Sequence, residues 1–178
     1  VSPEQAKALE VIQRNVDGML RLINDLLDIS KIESGKVELH LAPLDLGKAL
    51  TSYVEANALL AGKKGIALVS EVPPGLPAVT ADKDKLGEIL NNLISNALKF
   101  TKPGGEVCIR AAREDGFVRL EVRDTGQGIA PEDLPKLFRK FSQTRTRSTA
   151  GEKGTGLGLA IVKKLVDLHC GEVGVESV

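Results

Sequence analysis

Glu88, Asn92, Asn96 and Lys99 recur at i, i+4, i+8 and i+11, a spacing that puts them in one strip along a helix turning about 100° per residue. Asparagine is a mediocre helix former, so Asn91, Asn92 and Asn96 within one helical stretch are an unusual choice for a solvated face. A neutral amide oxygen can complete the shell of a Mg²⁺ that already binds phosphates and water, and a lysine one turn on can meet phosphate charge. Taken alone, the strip leaves a plain polar outer face as the alternative. Two glycine-containing segments add to it. Asp124-Thr125-Gly126-Gln127-Gly128-Ile129 directly follows an alternating apolar run, and Gly154-Thr155-Gly156-Leu157-Gly158-Leu159 opens a helical pattern. Glycines at a helix start let backbone N–H groups approach phosphates without Cβ interference, and the helix dipole favours an anion there. The second segment has no Gly-Lys-Ser/Thr and no preceding strand, so it fits neither a P-loop nor a dinucleotide fingerprint. Asp124 at a strand end could accept the exocyclic amine of adenine; the alternative is a turn-forming aspartate.

The elements that must carry these residues follow from periodicity. Asp82 reads as the cap of a helix whose Leu86, Ile89, Leu90, Leu93, Ile94 and Ala97 form the core side. Leu9, Ile12, Val16, Met19, Ile23 and Leu26 follow a 3,4,3,4,3 spacing, a coiled-coil-like seam on a helix from Ser2 to Glu33 that Gly35 stops. Val37 to Leu41 alternates as a strand with His40 facing solvent; Asp45 caps a helix through about Leu60, closed by Gly62. Ile66 to Val72 is a strand, and Val107 to Ala111 and Val118 to Val122 flank Glu114-Asp115-Gly116 as an antiparallel hairpin. Helices are expected at Pro131 to Phe141 and Leu157 to Leu168, then a short strand from Glu172 to Ser177. The expectation is an α+β fold: a two-layer α/β sandwich, its mixed sheet covered by helices on one face, preceded by a long N-terminal helix.

Composition excludes several classes. The 178 residues carry 24 basic and 24 acidic side chains, a net charge of zero, so no overall basic field draws nucleic acid or anionic lipid. With 3% aromatic residues and no Trp there is little on which single-stranded bases could stack. Cys108 and Cys170 are far apart with no CxxC, indicating neither a disulfide framework nor a zinc site. Cys170 reads as a small core residue. No apolar run approaches the roughly 18 residues of a membrane span.

Asn92-Leu93-Ile94-Ser95-Asn96-Ala97-Leu98-Lys99-Phe100-Thr101, Asp124 to Ile129, Leu137-Phe138-Arg139-Lys140-Phe141 and Gly154 to Leu159 stand in that order. In order and spacing they strongly resemble the ATP-binding domain of sensor histidine kinases, within the gyrase, chaperone and mismatch-repair ATPase superfamily. The N-terminal helix through Ile29-Ser30-Lys31-Ile32-Glu33-Ser34-Gly35 resembles the second helix of that family's dimerisation hairpin. The implied division is a hairpin helix over 1–35 and an ATP-binding domain over 36–178.

The resemblance implies that Asn96 coordinates Mg²⁺, that Asn92 and Lys99 contact the phosphates of ATP, and that Asp124, Gly126 and Gly128 hold adenine. It extends the nucleotide contacts to Phe100, Ile129, Thr155, Leu157 and Leu159. Phe138 and Phe141 would anchor a lid over about 143–153, and Gly154, Gly156 and Gly158 would close over the triphosphate. The implied reaction passes the γ-phosphoryl group to a histidine, with a response-regulator aspartate as the next acceptor. Superfamily members that hydrolyse ATP place a glutamate where this chain has Asn92, and a neutral amide cannot take a proton from water, which favours transfer. The resemblance further implies a homodimer through the N-terminal helix, a cytoplasmic location, and membrane attachment only through other segments.

Neither histidine matches the family's acceptor: His40 lies on an expected strand and His169 precedes Cys170 where the family usually has glycine. The acceptor is therefore expected outside this chain, and the sheet is expected to lack its last strand. Two other readings compete. One is a nucleotide-binding or dimerisation module without catalysis; the other takes Asp124-Thr125-Gly126 as half of an aspartic protease, for which Arg123 is a poor neighbour of a buried dyad.

Overall fold

A computed structural model describes residues 2–142, 149 and 154–177. The chain divides into two compact units, Val1–Glu38 and Leu39–Val178. The first is one helix, α1 (Pro3–Glu33), opened by a capping box in which Ser2 Oγ accepts from the Gln5 amide and the Gln5 side chain accepts from the Ser2 amide. Its end is a left-handed Gly35 (φ 66°), with the Gly35 and Lys36 amides turned back onto the carbonyls of Ile32 and Lys31. The apolar seam of α1 is exposed along its length, Ile12 at 57% and Met19 at 63%.

The second unit runs β1 (Ala42–Leu44), α2 (Leu46–Lys63), β2 (Ala67–Glu71), β3 (Val79–Ala81), α3 (Lys83–Phe100), β4 (Glu106–Glu114), β5 (Phe117–Asp124) and α4 (Gly158–Leu168). Among the described residues β4 is the centre of a mixed three-stranded sheet: β2 pairs with it in parallel, Leu68 opposite Val107, and β5 antiparallel, Val122 opposite Ile109. β1 and β3 form a separate antiparallel pair, Ala42 opposite Ala81. Alternation along β4 sends Val107, Ile109 and Ala111 into one core with Leu50 of α2 and Leu90, Ile94 and Leu98 of α3. The helices therefore cover one face of the sheet; the other carries charge, including the Arg110–Glu71 pair (2.7 Å). This is the expected α+β sandwich.

Five local expectations are corrected. The alternation at Val37 to Leu41 forms no ladder, and the strand lies just beyond it at Ala42–Leu44, the residues that face β3. Gly62 lies inside α2; the helix is closed by left-handed Gly65 (φ 66°), whose own amide and that of Ile66 bond back to Gly62 and Ala61. Pro131 to Phe141 is no α-helix: Leu134, Leu137, Phe138 and Phe141 imitate the helical period, but Pro135 withdraws an amide, and only a 3₁₀ turn over Leu134–Lys136 forms. Glu172 to Ser177 has no ladder partner among the described residues. Cys170 is exposed, not core; it occupies the left-handed position (φ 57°) that ends α4.

Candidate functional site

The site grows from α3, and α3 from its cap. Asp82 Oδ1 accepts from the amides of Asp84 (2.9 Å) and Lys85 (3.0 Å), while Oδ2 accepts from the His40 amide (2.8 Å). The Lys85 amide above all, with those of His40 and Asp84, holds this carboxyl below the ordinary aspartate range against the opposing effect of burial. Leu86, Ile89, Leu90, Ile94, Ala97 and Leu98 are buried, whereas Leu93 is only half-buried. With that face fixed on the sheet, the orientation of the polar strip is decided.

The structure separates the three amides. Asn91 is exposed; Asn92 and Asn96 are half-buried. Glu88, also half-buried, is paired to Lys85 Nζ at 2.9 Å, and its carbonyl accepts from Asn92 Nδ2 at 2.9 Å. That bond aims the Asn92 amide oxygen outward along the strip toward the start of α4. A Cβ placed on Gly158 would stand 2.5 Å from Asn92 Oδ1, and one on Gly154 would stand 2.7 Å from Lys99 Nζ. Any larger residue at either position would push the Asn92 amide or the Lys99 ammonium out of its present place. The Lys99 ammonium also sits 5.0 Å from the centre of the Phe100 ring.

The segment between these glycines is shaped by three local devices. Thr155 Oγ1 accepts from the Leu157 amide (3.2 Å), Leu157 is fully buried, and Gly156 takes φ 72° where a Cβ would run into the backbone of Phe141 and Ser142. Leu159 is half-buried in the first turn of α4. Among the described residues no side chain caps α4, which leaves its first-turn amides directed toward any anion placed beside Asn92 and Lys99.

Asp124 ends β5 with its side chain exposed, and Oδ1 accepts from the Gly126 amide at 2.8 Å. A Cβ on Gly126 would lie 2.8 Å from the Phe100 carbonyl oxygen, so this turn nests against the end of α3. Gly128 is left-handed (φ 68°), and the Ile129 amide donates to Ser177 Oγ at 2.8 Å. The strip, the Asp124 turn and the Gly154–Gly158 segment thus converge on the second half of α3. Phe138 is half-buried, but the Phe141 ring is 63% exposed, so only the backbone of Phe141 packs in this region. The lid expected over 143–153 lies outside the described residues except Thr149, whose amide (3.2 Å) and hydroxyl (3.0 Å) both donate to the Lys99 carbonyl.

Two residues escaped the sequence reading. Thr149 sits in a polar stretch with no pattern to distinguish it, and His169, whose ring reaches Asp82, is separated from it by 87 positions. Among the described residues no group of three or more His, Cys, Asp or Glu could hold a metal alone. A single hard amide oxygen beside a lysine and an uncapped helix start fits a Mg²⁺ that arrives already bound to phosphates.

The profile of the histidine kinase-, DNA gyrase B- and HSP90-like ATPase family matches residues 81–178, and that of the His Kinase A (phospho-acceptor) domain matches residues 1–35. The histidine protein kinase DivJ of Caulobacter vibrioides is 40% identical over 177 residues, covering 99% of this chain and 30% of that protein. The sensor protein GacS of Pseudomonas syringae pv. syringae is 39% identical over 183 residues, covering 99% and 20%. Among solved structures, full-length ShkA in complex with AMPPNP superposes with a TM-score of 0.84 at 36% identity, covering 99% of this chain and 37% of that one. The chain thus spans about a third or less of the length of these curated relatives.

Proposed function

Because the chain belongs to the histidine kinase-, DNA gyrase B- and HSP90-like ATPase family, we propose that it is the ATP-binding catalytic part of a two-component sensor histidine kinase, with residues 1–35 as a dimerisation helix and 36–178 as the catalytic domain. The observation that carries this reading is the close approach of Gly154 and Gly158 to Lys99 Nζ and Asn92 Oδ1, which sets side-chain-free backbone beside a strip of amides and ammonium, the groups that a triphosphate needs. The nucleotide complex of ShkA supports the same ligand.

In this reading Asp124 accepts the adenine amine, with Gly126 and Gly128 giving the base close access and Phe100 and Ile129 beside it. Asn92, Lys99 and the amides from Thr155 to Leu159 orient the phosphates. Asn96 supplies the protein oxygen for Mg²⁺, which when bound offsets phosphate charge. The chain's own work is positioning: the β–γ oxygen and the γ-phosphorus are held for in-line approach by an imidazole lone pair, which forms the P–N bond as the bond to ADP breaks. Asn92 takes no proton from water, so transfer is favoured over hydrolysis.

Residues 1–35 contain no histidine although they match a phospho-acceptor family. The acceptor is therefore a histidine elsewhere, the exposed seam of α1 pairs with a second copy, and the phosphoryl group passes on to a response-regulator aspartate. No described helix is long and apolar enough to cross a membrane, which accords with a cytoplasmic catalytic part. Calorimetric titration with a non-hydrolysable ATP analogue tests the site. Binding should vanish in Asp124→Asn and lose its Mg²⁺ dependence in Asn96→Ala; a folded chain that binds nothing overturns the reading. Labelled phosphate appearing on a separately supplied histidine-bearing helix distinguishes transfer from mere binding.

A further inference from the structure

The end of α4 is tied to the beginning of α3 by one imidazole. His169 Nε2 lies 3.1 Å from the Asp82 backbone nitrogen, and Nδ1 lies 2.8 Å from the Leu165 carbonyl oxygen. The Asp82 amide can only donate and the Leu165 carbonyl can only accept, so the ring is neutral, with its proton on Nδ1 and its lone pair on Nε2. The carboxylate of the same Asp82 takes the His40 amide and caps α3. Three segments that are remote in sequence therefore meet at one residue that is 5% exposed.

The other end of α4 is pinned too, by the close approach of Gly158 to Asn92. Asn92 is ten positions beyond Asp82 and His169 eleven beyond Gly158, helical rises of about 15 and 16.5 Å. The helices run antiparallel with matched spans between two fastening points, one polar and one steric. Release of the polar fastener would leave α4 held by its buried Ile161, Val162 and Leu165 and by the approach of Gly158, without the polar contact that fixes its position along α3, and a displacement of about 1 Å is enough to spoil phosphate alignment.

We propose that neutral His169 is a positioning residue, which through the Asp82 amide sets where α4 stands on α3 and so keeps the Gly154–Gly158 segment in register with Asn92. Its consequence for binding rests on the nucleotide reading above; its consequence for α4 does not. Engagement of both ring nitrogens also leaves neither open to a phosphoryl group.

Two variants separate the roles. His169→Gln keeps an acceptor near the Nε2 position, and His169→Ala removes it. Amide hydrogen exchange is followed at Ile161, whose N–H bonds to the Leu157 carbonyl in the first turn of α4, and at Ile109 in the central strand as a monitor of global opening. In His169→Ala, Ile161 should exchange at least fivefold faster relative to Ile109, and the ATP analogue should bind five- to tenfold more weakly. His169→Gln should stay within twofold of the parent in both. Equal acceleration at Ile161 and Ile109, or a glutamine variant as impaired as alanine, overturns the proposal. Should the alanine variant not fold, His169→Asn, which keeps a donor near Nδ1 and withdraws the acceptor, is read the same way. If the parent binds no nucleotide, the function above fails while the exchange result still decides the role of His169.

Discussion

α1 and α3 are made by the same local recipe and end in opposite circumstances. Each begins at a side chain that accepts from its own first-turn amides, Ser2 in one and Asp82 in the other, and each carries a lysine in its last turn. Each has an apolar stripe at helical spacing. Yet Leu90 and Ile94 of α3 are 1% and 0% exposed, whereas the stripe of α1 is exposed from Leu9 to Leu27. Local signals suffice to make a helix, but burial decides what the helix is for: α3 is held by its own sheet and can spare its other face for chemistry, while α1 presents its apolar face outward. In water such a face is stabilised only when something covers it.

The most severe way to break the contrast is to truncate α3. Ile94→Ala should lower the unfolding free energy by about 3 to 4 kcal/mol, whereas Ile12→Ala should alter it by less than about 0.5 kcal/mol; urea denaturation at low protein concentration compares the two, and equal effects would erase the distinction. The next effect belongs to α1 alone. Ile12→Lys combined with Ile23→Lys should weaken self-association about 100-fold, or about 2.7 kcal/mol, in sedimentation equilibrium, with nucleotide affinity unchanged. On the polar face of α3, Gly158→Ala should weaken the ATP analogue by at least about tenfold, roughly 1.4 kcal/mol, because its methyl would displace the Asn92 amide; retained affinity would show that this approach is not needed.

Helix endings sharpen the comparison further. α1 and α2 both close on glycine at the left-handed position, Gly35 and Gly65, while α4 closes with the same back-turned bonds from Cys170 and Gly171 to Asp167 and Val166 but places Cys170 there. Since a side chain in that conformation costs about 1 kcal/mol, Cys170→Gly should stabilise the chain by about that amount in thermal melts, with no effect on α1-mediated association. The smallest effect is on pH dependence. The Asp82 carboxyl titrates lower when folded than when unfolded, so its contribution is present above about pH 4 and is lost as pH falls through the folded value. Asp82→Asn should flatten the acid limb of the stability curve and lower stability throughout the range above about pH 4, the alkaline limb keeping its shape.

Much of this was legible in advance because long amphipathic segments state their period clearly. α1, α3, the β4–β5 hairpin and the two glycine segments are readable from pattern alone, whereas the approach of Gly154 and Gly158 to the strip is not. What escaped were features set by partners remote in sequence or by a single residue. The ladder at Ala42–Leu44 exists because β3 lies opposite it, not because of its own alternation. The segment from Pro131 to Phe141 has the helical period but not the amide that Pro135 withholds. At the site, residue types and helical spacing disclosed the strip and already set Asn91 off it, yet only the folded structure shows that Phe141 offers backbone rather than its ring. The junction of His169 with Asp82 left no signal, since nothing in either neighbourhood refers to the other.

The two edges of β4 have a consequence in time. On one side its partner is reached through the two-residue link Asp115-Gly116, so that Glu114 faces Phe117; on the other, Ala67 of β2 faces Glu106, 39 positions later. Closing the long loop demands far more chain entropy before any contact rewards it. The hairpin should therefore be an early event and the docking of β2 a late one, with conservative substitutions at Val122 slowing folding and those at Leu68 chiefly speeding unfolding. A chevron series at those two positions would read that order directly.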